Sequence, residues 1–408
     1  MKILWVSASA EWSVIDSSNG YRDALIRAGH ELKEFKLYRR LVNMGGFLGV
    51  EPTVQNLSEV SRHASRTVAA DALEFQPDLV LISSAMAFHP DAIVLLKRAG
   101  FRIGVIFTES PYSDVDQDYL AKLCDFAATN DKASADRYGW LYLPSAYSAE
   151  HHHLVDVDAF NADAAAQYLD QVSSWELGCE SIREHWEQQT CRGCGSVIAE
   201  PIYPPPPVEP LHIPTHDVVL VGTGWKERVN RLKQVDWSGI NLGIYGFWPQ
   251  LDTRSDEVDF SLAAGLGRDE EGRDILEKHY TRRPTENAET VALYSGAKIV
   301  LNEHRAHPDA WSVGPRVYET LAVGGGLLLT DYRPELERIL GSWMASCYVF
   351  TDAADLEAKI RYFLTHESER RSLVVYGRRC VQGETFDARV RTLMDAIGAR
   401  EDILTAIG

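Results

Sequence analysis

Two short clusters in the second half of the sequence carry residue types that hold a phosphorylated ligand. The first is Gly222-Thr223-Gly224 with Lys226 and Arg228. It follows the apolar run 218–221, so the pattern predicts strand, glycine turn and helix. Glycines let a backbone close on an anion, and a helix N-terminus offers free N–H groups to it. Lys226 and Arg228 add charge in the first turn. The full G-x-G-x-x-G spacing is missing, and an ordinary turn has the same composition. The second cluster is Arg316-Val317-Tyr318-Glu319, ahead of Gly324-Gly325-Gly326. Arg316 and Glu319 are three apart near a helix start and share a face. A guanidinium matches a diphosphate bidentately, and a carboxylate can accept both hydroxyls of a ribose. The same spacing also makes an intrahelical ion pair.

Candidate acid–base groups lie at predicted strand ends in the first half. Glu109 follows the strand 103–107, His89 follows the strand 79–82, and Glu11 and Asp16 sit in the polar loop after the first strand. Ligands gather at the carboxyl ends of strands in open α/β sheets. A hydroxyl nucleophile there needs a general base. Glu109 is the first choice, then Asp16 and His89, although each alone also reads as a solvated or capping residue. His304, Arg305 and His307 follow the strand 298–302, either reaching a donor's sugar or phosphate or forming a polar surface loop. Cys191-Arg192-Gly193-Cys194 has the spacing of half a zinc site. Cys179 and His185 would complete four ligands for a structural zinc; a redox pair or plain surface thiols are the alternatives. His151-His152-His153 reads as polar linker.

The elements that must position these residues alternate between strands and helices. Residues 1–150 read as a Rossmann-like domain with strands at 2–7, 31–37, 79–82, 103–107 and 126–128 and helices at 20–28, 59–74, 92–98, 120–124 and 133–138. Residues 151–215 break the rhythm and end in Pro204-Pro205-Pro206-Pro207, a stiff extended run; they read as an insertion or linker. The rhythm restarts at Asp217 and continues through residues 216–365, and helices fill 366–408, packing back toward the first domain. This is an α/β chain with two Rossmann-like domains facing each other across a cleft, where small ligands bind.

The 408 residues are 45% hydrophobic, enough for two well-buried cores, and the formal charge of −18 weighs against a phosphate-backbone binder. A polar run from Ser7 follows the first strand too soon for a signal peptide. No apolar stretch reaches the roughly 18 residues of a membrane span. Six cysteines in this length do not make a disulfide framework, so a reducing cytoplasm is expected.

The motif order resembles a known family. Residues 297–302, the run Gly314-Pro315-Arg316-Val317-Tyr318-Glu319-Thr320-Leu321-Ala322-Val323-Gly324-Gly325-Gly326, then Leu329-Thr330-Asp331 and Pro334-Glu335-Leu336, look like the C-terminal domain of GT-B glycosyltransferases. The group most similar is the one named for the spore-maturation protein CgeB. Residues 217–228 resemble the opening of that domain, and the likeness covers 216–394. The first domain resembles the group more loosely, through Asp78-Leu79-Val80 and Phe107-Thr108-Glu109. The resemblance implies a nucleotide-diphosphate sugar donor, of which a UDP-sugar is the first choice, bound by the second domain, with the first domain taking the acceptor. Arg316 matches the diphosphate contact and Glu319 the ribose ligand. Gly222 and Gly224 would border the phosphates, with Lys226 or Arg228 assisting and His304 nearby. Glu109 matches an acidic position of the group, but Glu109-Ser110-Pro111 stands where many relatives have Glu-Asp-Pro. The acceptor is unspecified. Hydroxymethylated bases in DNA are one alternative, disfavoured by the net charge. A non-catalytic nucleotide- or partner-binding protein and an epimerase are others.

Overall fold

The computed structural model describes residues 1–9, 15–49, 57–187, 207, 213–248, 251, 270–282 and 285–407. Six parallel strands form the first sheet: β1 Lys2–Val6, β2 Glu31–Phe35, β3 Leu79–Ser83, β4 Ile103–Phe107, β5 Phe126–Thr129 and β6 Leu141–Tyr142. Their order is β2-β1-β3-β4-β5-β6. The inner strands β3, β4 and β5 are buried along their whole length, which is why they read as short continuous apolar runs. One face packs on Leu37 and Leu41 of α2 (Leu37–Leu48), Val60 and Ala64 of α3 (Leu57–Arg66), Val68 and Ala72 of α4 (Val68–Phe75) and Leu96 of α5 (Pro90–Arg98).

Five parallel strands form the second sheet: β7 Val218–Val221, β8 Leu242–Tyr245, β9 Ile299–Asn302, β10 Leu327–Asp331 and β11 Val349–Phe350, in the order β11-β10-β9-β7-β8. Counted within each domain, the second sheet has the order 2-1-3-4-5 and the first the same order with a sixth strand added at its end. Each therefore has a switch point between its first and third strands, and ligands of such sheets sit beyond the carboxyl ends there. In the second sheet those ends carry Gly222 and Glu303.

Several elements differ from the sequence reading. The helix expected over 59–74 is two, α3 and α4, divided at Thr67, whose hydroxyl bonds the Ala64 carbonyl. Helix α2 has no counterpart in the sequence reading, because Gly45-Gly46 near its end looks like a breaker. Within 151–215 stands α8, Val157–Glu187, 31 residues long, or about 46 Å of helix at 1.5 Å per residue. Its first turns pack on the second domain through Val157 and Phe160. The proline run at 204–206 lies outside the described residues. Among the described residues no helix is long and apolar enough to cross a membrane.

The last helix, α17 (Phe386–Ile407), returns to the first domain. Phe386, Val390, Leu393 and Ile397 complete the second face of the first sheet with Ile3, Trp5, Tyr21 and Leu25. Phe386 lies so close to Gly20 of α1 (Ile15–Arg27) that a Cβ there would stand 2.3 Å from its ring. Arg27 and Asp387 close the contact with two bonds of 2.8 and 2.9 Å.

The domains are also joined through buried polar groups. Glu335, at the start of α13 (Glu335–Leu340), is fully buried. It accepts from the Tyr142 and Tyr318 hydroxyls and the Val313 amide, each at 2.7 Å, and from Arg338 at 3.1 Å. Changing Glu335 to Ala removes the acceptor of the Tyr142 and Tyr318 hydroxyls and the Val313 amide, while Arg338 keeps Glu384, and breaking a buried charged network in this way costs about 3–5 kcal/mol. A lower denaturation midpoint of that order is expected. An unchanged midpoint would show that the network contributes nothing net.

Candidate active site

The strand β7 ends at Val221 and the chain turns at Gly222, with φ +151°. A side chain there is excluded by position as well as by conformation. A Cβ on Gly222 would stand 2.6 Å from Arg316 Nη1 and 2.9 Å from Arg228 Nη1. Two guanidinium groups thus lie against one glycine turn.

Their roles separate by hydrogen bonding. Arg228 sits in the first turn of α9 (Lys226–Leu232) and is buried. Its Nη1 donates to the Thr223 carbonyl at 2.7 Å, and Nε and Nη2 donate to the Glu303 carbonyl, Nε at 2.9 Å. Burial, reinforced by the neighbouring Arg316, lowers its pKa to about 10. Arg228 therefore holds the 222–224 turn against the end of β9 while adding charge behind it. Arg316 lies on the second residue of α12 (Pro315–Val323), with Pro315 opening the helix and Gly314 as N-cap. It forms no ion pair among the described residues, with Glu319 or any other group. The intrahelical pair allowed by spacing is absent, and a half-buried cation stands beside the free amides of a helix N-terminus.

One turn further along α12, Glu319 is buried and its Oε1 lies 3.9 Å from His152 Nε2. Tyr294 is buried near the same groups: burial raises its phenol, and it feels the charges of Arg316, Glu319 and Arg228. Gly224 is buried in the same turn, its amide bonded to the Phe247 carbonyl at 2.9 Å. Lys226 is exposed at the first position of α9.

His304 has both ring nitrogens engaged. Nδ1 bonds Asp331 Oδ1 at 2.7 Å, and Nε2 accepts the Gly314 amide at 3.0 Å. Burial would raise the Asp331 carboxyl, but His304 and Arg333 hold it below the usual carboxylate range. His304 thereby pins the N-cap of α12 to the end of β10, next to Arg316.

The loop 303–314 meets the first domain. Asp131, fully buried ahead of α7 (Lys132–Tyr138), caps that helix through the Ser134 amide at 2.9 Å. Its other oxygen accepts the Trp311 and Ser312 amides, both at 3.0 Å. The Tyr112 hydroxyl donates to the Arg305 carbonyl at 2.6 Å. The Arg305 guanidinium stands 5.4 Å from both the Tyr112 and Trp225 ring centres, one from each domain. It is the charge that opposes burial at Glu109, whose carboxyl is raised by desolvation and drawn back by Arg305. Glu109, just beyond β4, is thus brought to the seam between the domains.

The other acid–base candidates are placed differently. His89 caps α5, its Nδ1 accepting the Asp91 amide at 3.2 Å, and its own amide donates to Ser65 of α3. Burial lowers its pKa, with Arg62 and Arg66 adding to that and Asp91 opposing it. Asp16 is in the first turn of α1, its side chain outside the described residues, as is Glu11. Cys179 is a buried free thiol on α8. The His185 side chain, Cys191 and Cys194 fall outside the described residues. Among those described, no three His, Cys, Asp or Glu groups are placed to hold a metal. Asp131 and Tyr294 were not singled out from sequence, and His152, read there as polar linker, is buried against Glu319. Asp131 had a local signal, an Asp three residues before Ser134 at a helix start; Tyr294 acts through groups on other elements, Arg316, Glu319 and Arg228, and His152 through Glu319, 167 residues away.

Residues 208–395 match the family model described as glycosyl transferase-like. Three solved structures share the fold. Sucrose-phosphate synthase from Thermosynechococcus elongatus aligns over 100% of both chains with TM-score 0.60 and 12% identity. HepE from Anabaena, in complex with UDP-glucose, covers 98% of this chain and 100% of its own with TM-score 0.56 and 11% identity. A UDP-forming α,α-trehalose-phosphate synthase from Burkholderia xenovorans covers 97% and 98% with TM-score 0.56 and 12% identity. The fold is therefore GT-B, two Rossmann-like domains facing each other. No curated protein sequence matches the chain significantly.

Proposed function

We propose that this chain is a glycosyltransferase that moves a sugar from a UDP-sugar to a hydroxyl acceptor. The observation that carries the reading is Arg316: a cation without an ion pair among the described residues, at the N-terminus of α12 and against the Gly222 turn. That arrangement suits a diphosphate, which Arg316 contacts directly while Arg228 supplies charge from behind. Glu319, one helical turn away, accepts the ribose hydroxyls. The glycosyl transferase-like match over 208–395 and the UDP-glucose in the Anabaena relative support this donor class. The motifs at 217–228 and 314–335 support a reading of the chain as one of the CgeB-like group.

In the reaction the acceptor oxygen bonds the anomeric carbon, the bond from that carbon to the diphosphate oxygen breaks, and UDP departs with its new charge facing Arg316. Glu109 takes the acceptor proton. Its raised affinity for a proton, a consequence of burial, suits that task. The cleft beside Glu109 belongs to the acceptor, and the proposed location is the cytoplasm.

The test is calorimetric titration with UDP and UDP-hexoses, followed by UDP release over a panel of hydroxylated acceptors. Saturable UDP binding and acceptor-dependent release are expected. Absence of binding by UDP and every UDP-sugar would sink the proposal.

A further inference from the structure

We infer that His152 is a positioning residue for Glu319 and so couples donor binding to the segment joining the two domains. The inference rests on the reading of Glu319 as the ribose ligand. His152 lies in the histidine run that leaves the first domain ahead of α8. Its neighbours His151 and His153 are exposed, whereas His152 is 7% exposed.

The ring is held in a fixed orientation. The His152 amide donates to the Ser148 carbonyl at 2.8 Å, closing a turn. The Ser148 amide donates to His152 Nδ1 at 3.1 Å, and the Ser148 carbonyl lies 3.2 Å from the same nitrogen. We assign Nδ1 as acceptor of the Ser148 amide, which puts the ring proton on Nε2, the atom that faces Glu319 Oε1 at 3.9 Å. Both side chains are nearly enclosed, so little water screens that contact. The turn belongs to the connection between domains: Tyr147 bridges Thr385 just ahead of α17, and the Val155 amide beyond it donates to Ser295 at 3.1 Å. A carboxylate aimed at a ribose must keep one orientation, and a donor fixed on its outer side keeps it there without occupying the ligand's place.

Two conservative variants separate positioning from simple packing. Asn at 152 can still accept from the Ser148 amide but loses the outer N–H. Gln reaches the Nε2 position with an N–H and gives up the inner contact. Positioning predicts that His152→Asn raises the UDP dissociation constant and the donor KM about tenfold, as expected for losing one polar contact to a charged group in an enclosed site. It predicts kcat within about twofold, and near-normal values for His152→Gln. In a Glu319→Gln background, His152→Asn should add less than about twofold. The reverse order of the two variants, or an undiminished effect in the Glu319→Gln background, overturns the inference. If Glu319→Gln itself binds UDP as tightly as the unaltered protein, the ribose assignment fails instead, and that outcome is distinguishable from the others.

Discussion

Replacing Arg316 with Ala is expected to weaken UDP-sugar binding by ~10- to 150-fold, the range for losing charge-assisted hydrogen bonds to a phosphate at ~1.5–3 kcal/mol. Three observations set that size. Among the described residues the guanidinium has no competing carboxylate, it sits at a helix N-terminus, and it lies against a turn too tight for any side chain. Arg228 does not replace it, because its donors are committed to the Thr223 and Glu303 carbonyls. Lys substitution should restore part of the affinity, since the charge returns without the planar pair of donors. Calorimetry with UDP reads the effect directly. A dissociation constant unchanged in Arg316→Ala would remove Arg316 from the site.

The second large effect concerns Glu109. Glu109→Gln is expected to lower kcat by ~10²- to 10⁴-fold, the usual contribution of a general base, with donor affinity unchanged. The sign of the pH dependence follows from the environment. Burial raises the Glu109 carboxyl above its ordinary value and Arg305 pulls it partly back. A base works deprotonated, so activity falls as pH drops through that raised pKa, and the acid limb of kcat/KM lies above the pH of a free Glu side chain. Removing Arg305 takes away the opposing charge, so Arg305→Ala should move the limb to still higher pH. A limb that stays in place in Arg305→Ala, or that persists in Glu109→Gln, would assign the proton transfer to another group.

Much of the second domain was legible because its signals are local. The apolar run at β7, the glycine turn and Arg228 follow one another within eleven residues, and α12 announces itself through Gly314-Pro315 and ends at Gly324. Spacing alone allowed an ion pair between Arg316 and Glu319; the Arg316 side chain instead lies against Gly222, ninety-four residues earlier, a neighbour that no local pattern encodes. His304 shows the converse. Its place after a strand suggested a ligand, but its ring is spent on Asp331 and Gly314, partners set by the tertiary fold. Helix α8 was hidden because its less exposed positions, Phe160, Ala164, Tyr168, Val172 and Trp175, are interleaved with Asp, Gln and Ser, and because the proline run downstream coloured the whole region. Asp131 and Glu335 were invisible as cross-domain ties. Their partners lie on other elements, and nothing in the local pattern encodes them.

The return of α17 to the first domain has a consequence for the order of assembly. The ribosome makes β1, α1 and β3 early, yet the apolar face formed by Ile3, Trp5, Tyr21 and Leu25 finds its cover only when Phe386, Val390, Leu393 and Ile397 emerge. The contact between Arg27 and Asp387 closes a span of 360 residues. Loop entropy rises only slowly over such a span, but the search is long. The domain made first is therefore finished last, after the whole second domain has been synthesised. Until then its uncovered face is a surface for chaperones or for misassembly, and chains stopped before residue 386 would carry that face permanently open.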